Sequence, residues 1–260
     1  MRRFIATLPI LTALLVAAPA GADDLTALQI AEKAYAQEFM GMSTGVSQVR
    51  MTLINKRGET RVRRVQAKSA TIDGNRHSLV RFLSPPDVQG TSFLLVEQTG
   101  GADQQYLYLP ALKRVRRISG SQRSSSFMGS DFSYADMESR DVSESEWTRH
   151  PDEKVGPLDC YKLEATPKKP DDEQYKRSEI WIHKETWLPV KMKLYDRKTG
   201  ALRKTLFVEE FKKIDGRWIV TKAKMANAKK KTATRIVIEE IQLNVEVPAT
   251  AFTVEALSKE

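Results

Sequence analysis

This 260-residue chain holds a single cysteine, Cys160. No internal disulfide framework can therefore staple it, and a lone thiol in a strand-like setting is more often a buried packing group than a nucleophile. Histidine is almost as scarce. His77, His150 and His183 fall in different expected elements, none with a second His or Cys at metal-ligand spacing, which argues against a metal site. Glycine-rich phosphate loops and long internal repeats are missing too. The carboxylate pair Asp171-Asp172 lies among Lys168, Lys169 and Pro170, an ordinary solvated-loop composition without an acid–base signature. Gly41-Met42-Ser43-Thr44-Gly45 has the letters of a hydrolase nucleophile elbow, but that motif needs a strand before it and a helix after it. Here a helix precedes and a strand follows, so the segment reads as a helix stop. With no convergent nucleophile, base or metal set, the expectation is a protein that is not an enzyme and has no catalytic residue, no metal and no cofactor.

Long apolar runs are confined to the N-terminus. Arg2 and Arg3 precede an apolar stretch from Phe4 to Ala18, and small residues follow through Ala22. This is the pattern of a secretory signal peptide over residues 1–22. No later segment approaches the ~20 apolar residues of a membrane span, and no cysteine stands at the cleavage site to form a lipobox. The expected mature chain, residues 23–260, is exported, soluble, without a lipid anchor, and one domain. The net charge of +9 favours acidic partners. Export argues against nucleic acid, leaving anionic lipid headgroups, envelope glycolipid or an acidic protein face; plain solubility is the competing explanation.

Past the leader, Asp23 and Asp24 can cap a helix whose apolar positions Leu28, Ala31, Tyr35, Phe39 and Met42 recur at three- and four-residue steps. From Val46 onward the period becomes two. Thirteen strands are expected, over 46–54, 60–68, 76–83, 91–98, 104–109, 113–118, 144–149, 157–166, 176–183, 189–196, 202–213, 218–227 and 232–243. Turn chemistry such as Asp73-Gly74 and Asp215-Gly216 separates them. Connections this short favour antiparallel pairing, and helix-length crossovers are lacking. Such a sheet curls to bury its apolar face, predicting a mainly β, curved, half-open antiparallel barrel.

One segment breaks the pattern. Between about residues 119 and 140, serine- and glycine-rich ends flank Phe127-Met128-Gly129-Ser130-Asp131-Phe132-Ser133-Tyr134-Ala135-Asp136-Met137. Long insertions with greasy centres are functional covers more often than disorder. The segment predicts a helical lid whose ligand-facing residues are Phe127, Met128, Phe132, Tyr134 and Met137; a short helix that merely plugs the barrel end is the alternative. Candidate cavity-lining residues are Leu79, Phe93, Leu95, Tyr106, Tyr108, Ile180, Met192 and Leu194, subject to a one-residue ambiguity over which face looks inward. An ordinary sandwich core would use the same residue types. Arg114, Arg116 and Arg117 lie beside the lid, where they can meet an anionic headgroup or an acidic partner, or simply form a solvated strand face. Lys229-Lys230-Lys231 reads as a hairpin turn between two late strands.

In this organisation the chain resembles the LolA/LolB lipoprotein carrier superfamily, and its outer membrane lipoprotein-sorting proteins most of all. The resemblance is carried by the run from Phe127 to Met137, by Tyr106-Leu107-Tyr108-Leu109-Pro110, and by the ending Val247-Pro248-Ala249-Thr250-Ala251-Phe252-Thr253. It implies a half-barrel of about eleven strands with an N-terminal helix and a lid. It also implies an arginine that holds the lid shut, for which Arg76 is the nearest candidate. The function it implies is that of a periplasmic, monomeric carrier of lipid or acylated lipoprotein, working between an inner-membrane transporter and an outer-membrane acceptor. An RseB-like sensor of lipid or lipoprotein, or an accessory subunit of an RND-type transporter, are the alternatives within the same family.

Overall fold

The computed structural model describes residues 25–37, 44–138 and 141–259. The expected signal peptide, the caps Asp23 and Asp24, and Phe39, Gly41 and Met42 lie outside them. The helix α1, Ala27–Tyr35, is instead capped by Thr26: its hydroxyl accepts from the Gln29 amide, and the Gln29 side chain accepts from the Thr26 amide. This reciprocal box satisfies two amides that the first helical turn leaves free. Ile30, Ala31 and Ala34 form the buried stripe, while Leu28 is exposed.

Thirteen strands follow, one more pair than the family resemblance implies and in the places the two-residue period predicts. They are β1 (Gly45–Ile54), β2 (Thr60–Ile72), β3 (Asn75–Ser84), β4 (Ser92–Val96), β5 (Gln104–Leu109), β6 (Arg114–Ile118), β7 (Ser145–Val155), β8 (Leu158–Pro167), β9 (Tyr175–His183), β10 (Pro189–Asp196), β11 (Leu202–Ile214), β12 (Arg217–Asn227) and β13 (Thr232–Leu243). The hairpins β2–β3 and β11–β12 turn on Asp73-Gly74 and Asp215-Gly216. Both residues of each pair have positive φ, as the two-residue turn that matches strand twist requires. Strand β7 runs six residues past its expected end because a register shift between His150 and Glu153 accommodates Pro151. Proline is tolerated there because β7 is an edge strand.

The strands form one antiparallel sheet in the order β6-β5-β4-β3-β2-β1-β13-β12-β11-β10-β9-β8-β7. Chain neighbours pair throughout, and β1 closes against β13. Among the described residues, the junction left unpaired is therefore between β6 and β7, consecutive in sequence and at opposite edges. The sheet is a curved, half-open barrel, and the segment joining its two edges has to span the opening.

Cross-strand partners share a face, so the register can be followed around the sheet. Phe82 opposes Val65, Val65 opposes Val49, and Val49 opposes Ile238. Beyond β12, Met225 opposes Leu206, Leu206 opposes Met192, Met192 opposes Ile180, and Ile180 opposes Leu163. Helix α1 covers Leu163, Ile180, Tyr161 and Ile182 at one end of this inner face. Phe127, Phe132 and Tyr134 of the segment between β6 and β7 pack in the cluster that holds Phe82, Val65, Val49, Ile238, Met225 and Leu206 of this face. A separate cluster on the outer face packs Leu79, Leu94 and Ala70 under Phe252 and Leu257 of the C-terminal segment.

Candidate functional site

The lid carries no α-helix among its described residues. It is built from short 3-10 turns at Gly120–Ser124, Phe127–Gly129 and Tyr134–Met137. Met128 and Gly129 both take positive φ, which stops a helix after one turn. The chain then folds back in a miniature hairpin: the Phe127 amide donates to the Phe132 carbonyl at 2.8 Å, and the Tyr134 amide to the Ser125 carbonyl at 3.2 Å. Ser133 caps the last turn through reciprocal bonds with Asp136. The helical lid expected from sequence is thus corrected to a knot of turns.

This hairpin aims its rings at the sheet. Phe127 lies 5.2 Å from Phe93 and 6.0 Å from Phe82, and Tyr134 lies 5.7 Å from Phe93 (ring centroids). Phe127, Phe132 and Tyr134 are buried, and Met128 and Met137 are partly buried against the same core. Of the candidate lining residues, Phe93, Leu95 and Leu194 share this cluster with the lid. Met192 bridges the clusters under the lid and under α1, whereas Ile180 lies beneath α1. Leu79, Tyr106 and Tyr108 are on the outer face, packed with the C-terminal segment. The physical reason is register: Phe93 pairs with Leu107 and Leu94 with Tyr106, so Leu107 looks inward and Tyr106 outward. The greasy inner face is therefore occupied by the lid's own side chains.

Polar pins hold the lid down. On β13, Thr234 is fully buried and its hydroxyl donates to Asp131 at 2.9 Å and accepts from the Asp131 amide at 2.9 Å; Thr232 donates to the same carboxylate. On β11, the Lys204 ammonium meets Asp136 at 2.7 Å, both side chains buried. Tyr175 and Gln174 also donate to Asp136. Burial is the largest single influence on Asp136 and opposes its charge. Lys204 and the Ser133 donors outweigh it and hold the carboxyl below its ordinary value. Burial draws Lys204 below the usual lysine value, with Asp136 opposing. On the other half of the barrel, Gln105 of β5 donates to the Tyr134 carbonyl at 3.1 Å and to Glu138 at 2.6 Å. Arg123 pairs with Glu138, and Arg63 of β2 donates to the Met128 carbonyl while lying over the Phe82 ring. Burial lowers the Arg63 guanidinium's pKa.

Arg63 thus reaches the lid from the sheet. Arg76 pairs with Glu97 at 2.6 Å. Arg116 faces Tyr134, whose phenol is raised by burial and lowered in turn by that guanidinium. Arg114 and Arg117 are exposed on β6; Arg117 opposes Tyr106 and so faces outward. Sequence reasoning missed the pins. A readable signal exists for Lys204, which alternates with Leu206 and Val208 and so sits on an apolar face, where a lone ammonium requires a carboxylate partner.

Elsewhere, Cys160 is buried, and burial pushes its thiol up to about 11. Among the described residues no group of three His, Cys, Asp or Glu side chains is placed to hold a metal, and no helix is long and apolar enough to cross a membrane.

A family model described only as an uncharacterized protein matches residues 74–259. A DUF1329 family protein from Desulfovibrio piger is 33% identical over 89% of this chain and 97% of its own, with a TM-score of 0.83. A putative outer membrane lipoprotein-sorting protein domain from Vibrio parahaemolyticus is 32% identical over 90% of this chain and 98% of its own, with a TM-score of 0.82. The chain belongs to the DUF1329 family of outer membrane lipoprotein-sorting proteins. A LolA superfamily protein from Nitrosomonas europaea, 21% identical over 89% of this chain and 99% of its own with a TM-score of 0.69, shares the fold. No curated protein matches. Membership agrees with the resemblance carried by the lid run, and this DUF1329 chain keeps the LolA-like half-open barrel with thirteen strands.

Proposed function

We propose that this protein is a periplasmic carrier that takes the acyl chains of a lipid or lipoprotein onto the inner face of the barrel, in the place the lid occupies in this structure. The observation that carries the reading is the plug itself. Phe127, Phe132 and Tyr134 fill an apolar face, yet they sit on a segment tied down by separate polar pins instead of by continuous sheet or helix. Such a segment can leave as a unit. Removing three large apolar side chains from the core costs on the order of 5–9 kcal/mol, and burying a chain of roughly sixteen carbons returns on the order of 12 kcal/mol at ~0.8 kcal/mol per methylene. Acyl-chain burial therefore exceeds the loss of ring burial and leaves a margin of a few kcal/mol against the polar pins, whereas release of the chain into water is prohibitively slow. Cargo handed directly from an inner-membrane transporter to this protein, and on to an outer-membrane acceptor, avoids that barrier. Met128 and Met137, unbranched and polarisable, suit the changing contacts of a moving cover.

Native mass spectrometry of protein purified from the periplasm tests this. Co-purified lipid or acylated peptide is the expected result, and Phe132→Asp should alter the fraction loaded. Protein that is always empty, and that takes up no acyl-chain probe in vitro, would refute the carrier reading.

A further inference from the structure

A cleft of about 430 Å³ opens beside the lid, within the ~300–1,000 Å³ of small-molecule sites. One wall belongs to the lid, through Ser126, Asp131 and Ser133; the other belongs to the sheet, through Arg203, Lys204, Lys229 and Lys230. Its carboxylates are already engaged. Asp131 is held by Thr232 and Thr234. Asp196 accepts from the Lys198 and Thr199 amides and lies 3.6 Å from Arg203. Lys229 and Lys230, in the β12–β13 turn, are exposed, and neither pairs with a carboxylate among the described residues. With Arg203 paired to Asp196 and Lys204 to Asp136, the two turn lysines face Asp131 alone and leave one positive charge uncompensated, an imbalance that suits an anion.

We propose that this cleft binds the phosphate of a lipid headgroup, held by Lys229, Lys230 and Arg203, and that its occupancy loosens the lid. The inference rests on the carrier reading and names the chemistry of the cargo's polar end. Lys204 links the two events, because it lines the cleft and also pins Asp136. A phosphate there offers Lys204 a second anion and repels both Asp131 and Asp136, the carboxylates that anchor the lid. A ligand that binds the loosened lid better than the closed one shifts the population towards it by that difference. By reciprocity, weakening the pins tightens the headgroup. The apolar face lies next to the cleft through Phe132, which lines it and packs in the core, so one phospholipid can reach both.

The test uses calorimetric titration and hydrogen exchange on the full mature chain and its Lys229→Ala/Lys230→Ala variant. Both positions are exposed turn residues, so folding is not at risk. The probes are inorganic phosphate, short-chain phosphatidylglycerol and a phosphate-free diacylglycerol of equal chain length. Phosphatidylglycerol should bind the variant about tenfold or more weakly, as expected for the loss of charge-assisted contacts, and should raise amide exchange across residues 124–137 only in the parent protein. Equal affinity in both proteins would overturn the site. Binding without faster lid exchange would overturn the coupling, and binding of inorganic phosphate without phosphatidylglycerol would overturn the lipid source. Uptake of the neutral diacylglycerol, equal in both proteins, marks the carrier reading as standing whatever the cleft does.

Discussion

Asp136 of the lid and Lys204 of β11 meet at 2.7 Å with both side chains buried, across 68 residues of sequence. A buried ion pair contributes little net stability over a well-packed apolar pair, but removing one member leaves an uncompensated charge. This relationship converts the lid from a loose cover into a latched one.

Lys204→Met should therefore destabilise the closed lid by about 3–5 kcal/mol, while Lys204→Met combined with Asp136→Leu should recover most of that loss. Thermal unfolding together with lid amide exchange on both singles and the double measures the coupling. If the two changes simply add, the pair is not the latch described here.

The latch should weaken in acid. Asp136 has a folded-state pKa below its ordinary value, so it contributes stability that is fully present above the unfolded value, about 4, and is lost as pH falls through the folded value. Lid exchange should be slow and flat from pH 8 to 5 and should rise below pH 4, once the intrinsic pH dependence of exchange is divided out. Asp136→Asn should abolish that rise.

Asp103 behaves in the opposite sense. Burial raises its carboxyl to about 6, opposed by the Gln98 amide and reinforced by Glu138 and Glu97. The folded state holds this proton more tightly than the unfolded one, so the ionised group costs stability, a cost that grows as pH rises through the interval from about 4 to about 6. Asp103→Asn keeps an acceptor for the Gln98 amide. It should stabilise the protein at pH 7 by about 1 kcal/mol once solvent screening is allowed for, and by nothing at pH 3.5. Chemical denaturation at the two pH values checks it.

Cys160 should resist alkylation in the native protein. It is 1% exposed, and its thiol is raised to about 11 by burial, so little thiolate forms at pH 8 and none is accessible. Iodoacetamide labelling followed by mass spectrometry should show modification only after denaturant is added; prompt labelling of the native chain would contradict the burial.

Much of the architecture was legible because strands obey a local rule. Val190, Met192 and Leu194 alternate with Lys191, Lys193 and Tyr195, and this pattern, with turns such as Asp73-Gly74, places thirteen strands from local information alone. The extra length of β7 was not legible, since His150-Pro151-Asp152 reads as a loop until an edge position makes the proline harmless. Neither was the lid's conformation. Its apolar residues announce burial, but positive φ at Met128 and Gly129 is stabilised by what the hairpin packs against.

The amino-acid order by itself therefore determined the elements, their antiparallel pairing with chain neighbours, and the presence of one greasy segment between two strand-rich halves, because each depends on residues a few positions apart. The tertiary structure alone decided which face looks inward, separating Phe93 from Tyr106. It also decided that β6 and β7 are left as open edges and that Arg63, Lys204, Thr234 and Gln105 converge on the lid. These are contacts between residues tens to more than a hundred positions apart. No local period encodes them, and those of Lys204 and Thr234 join the lid to the other half of the sheet, which β1 meets only through its pairing with β13.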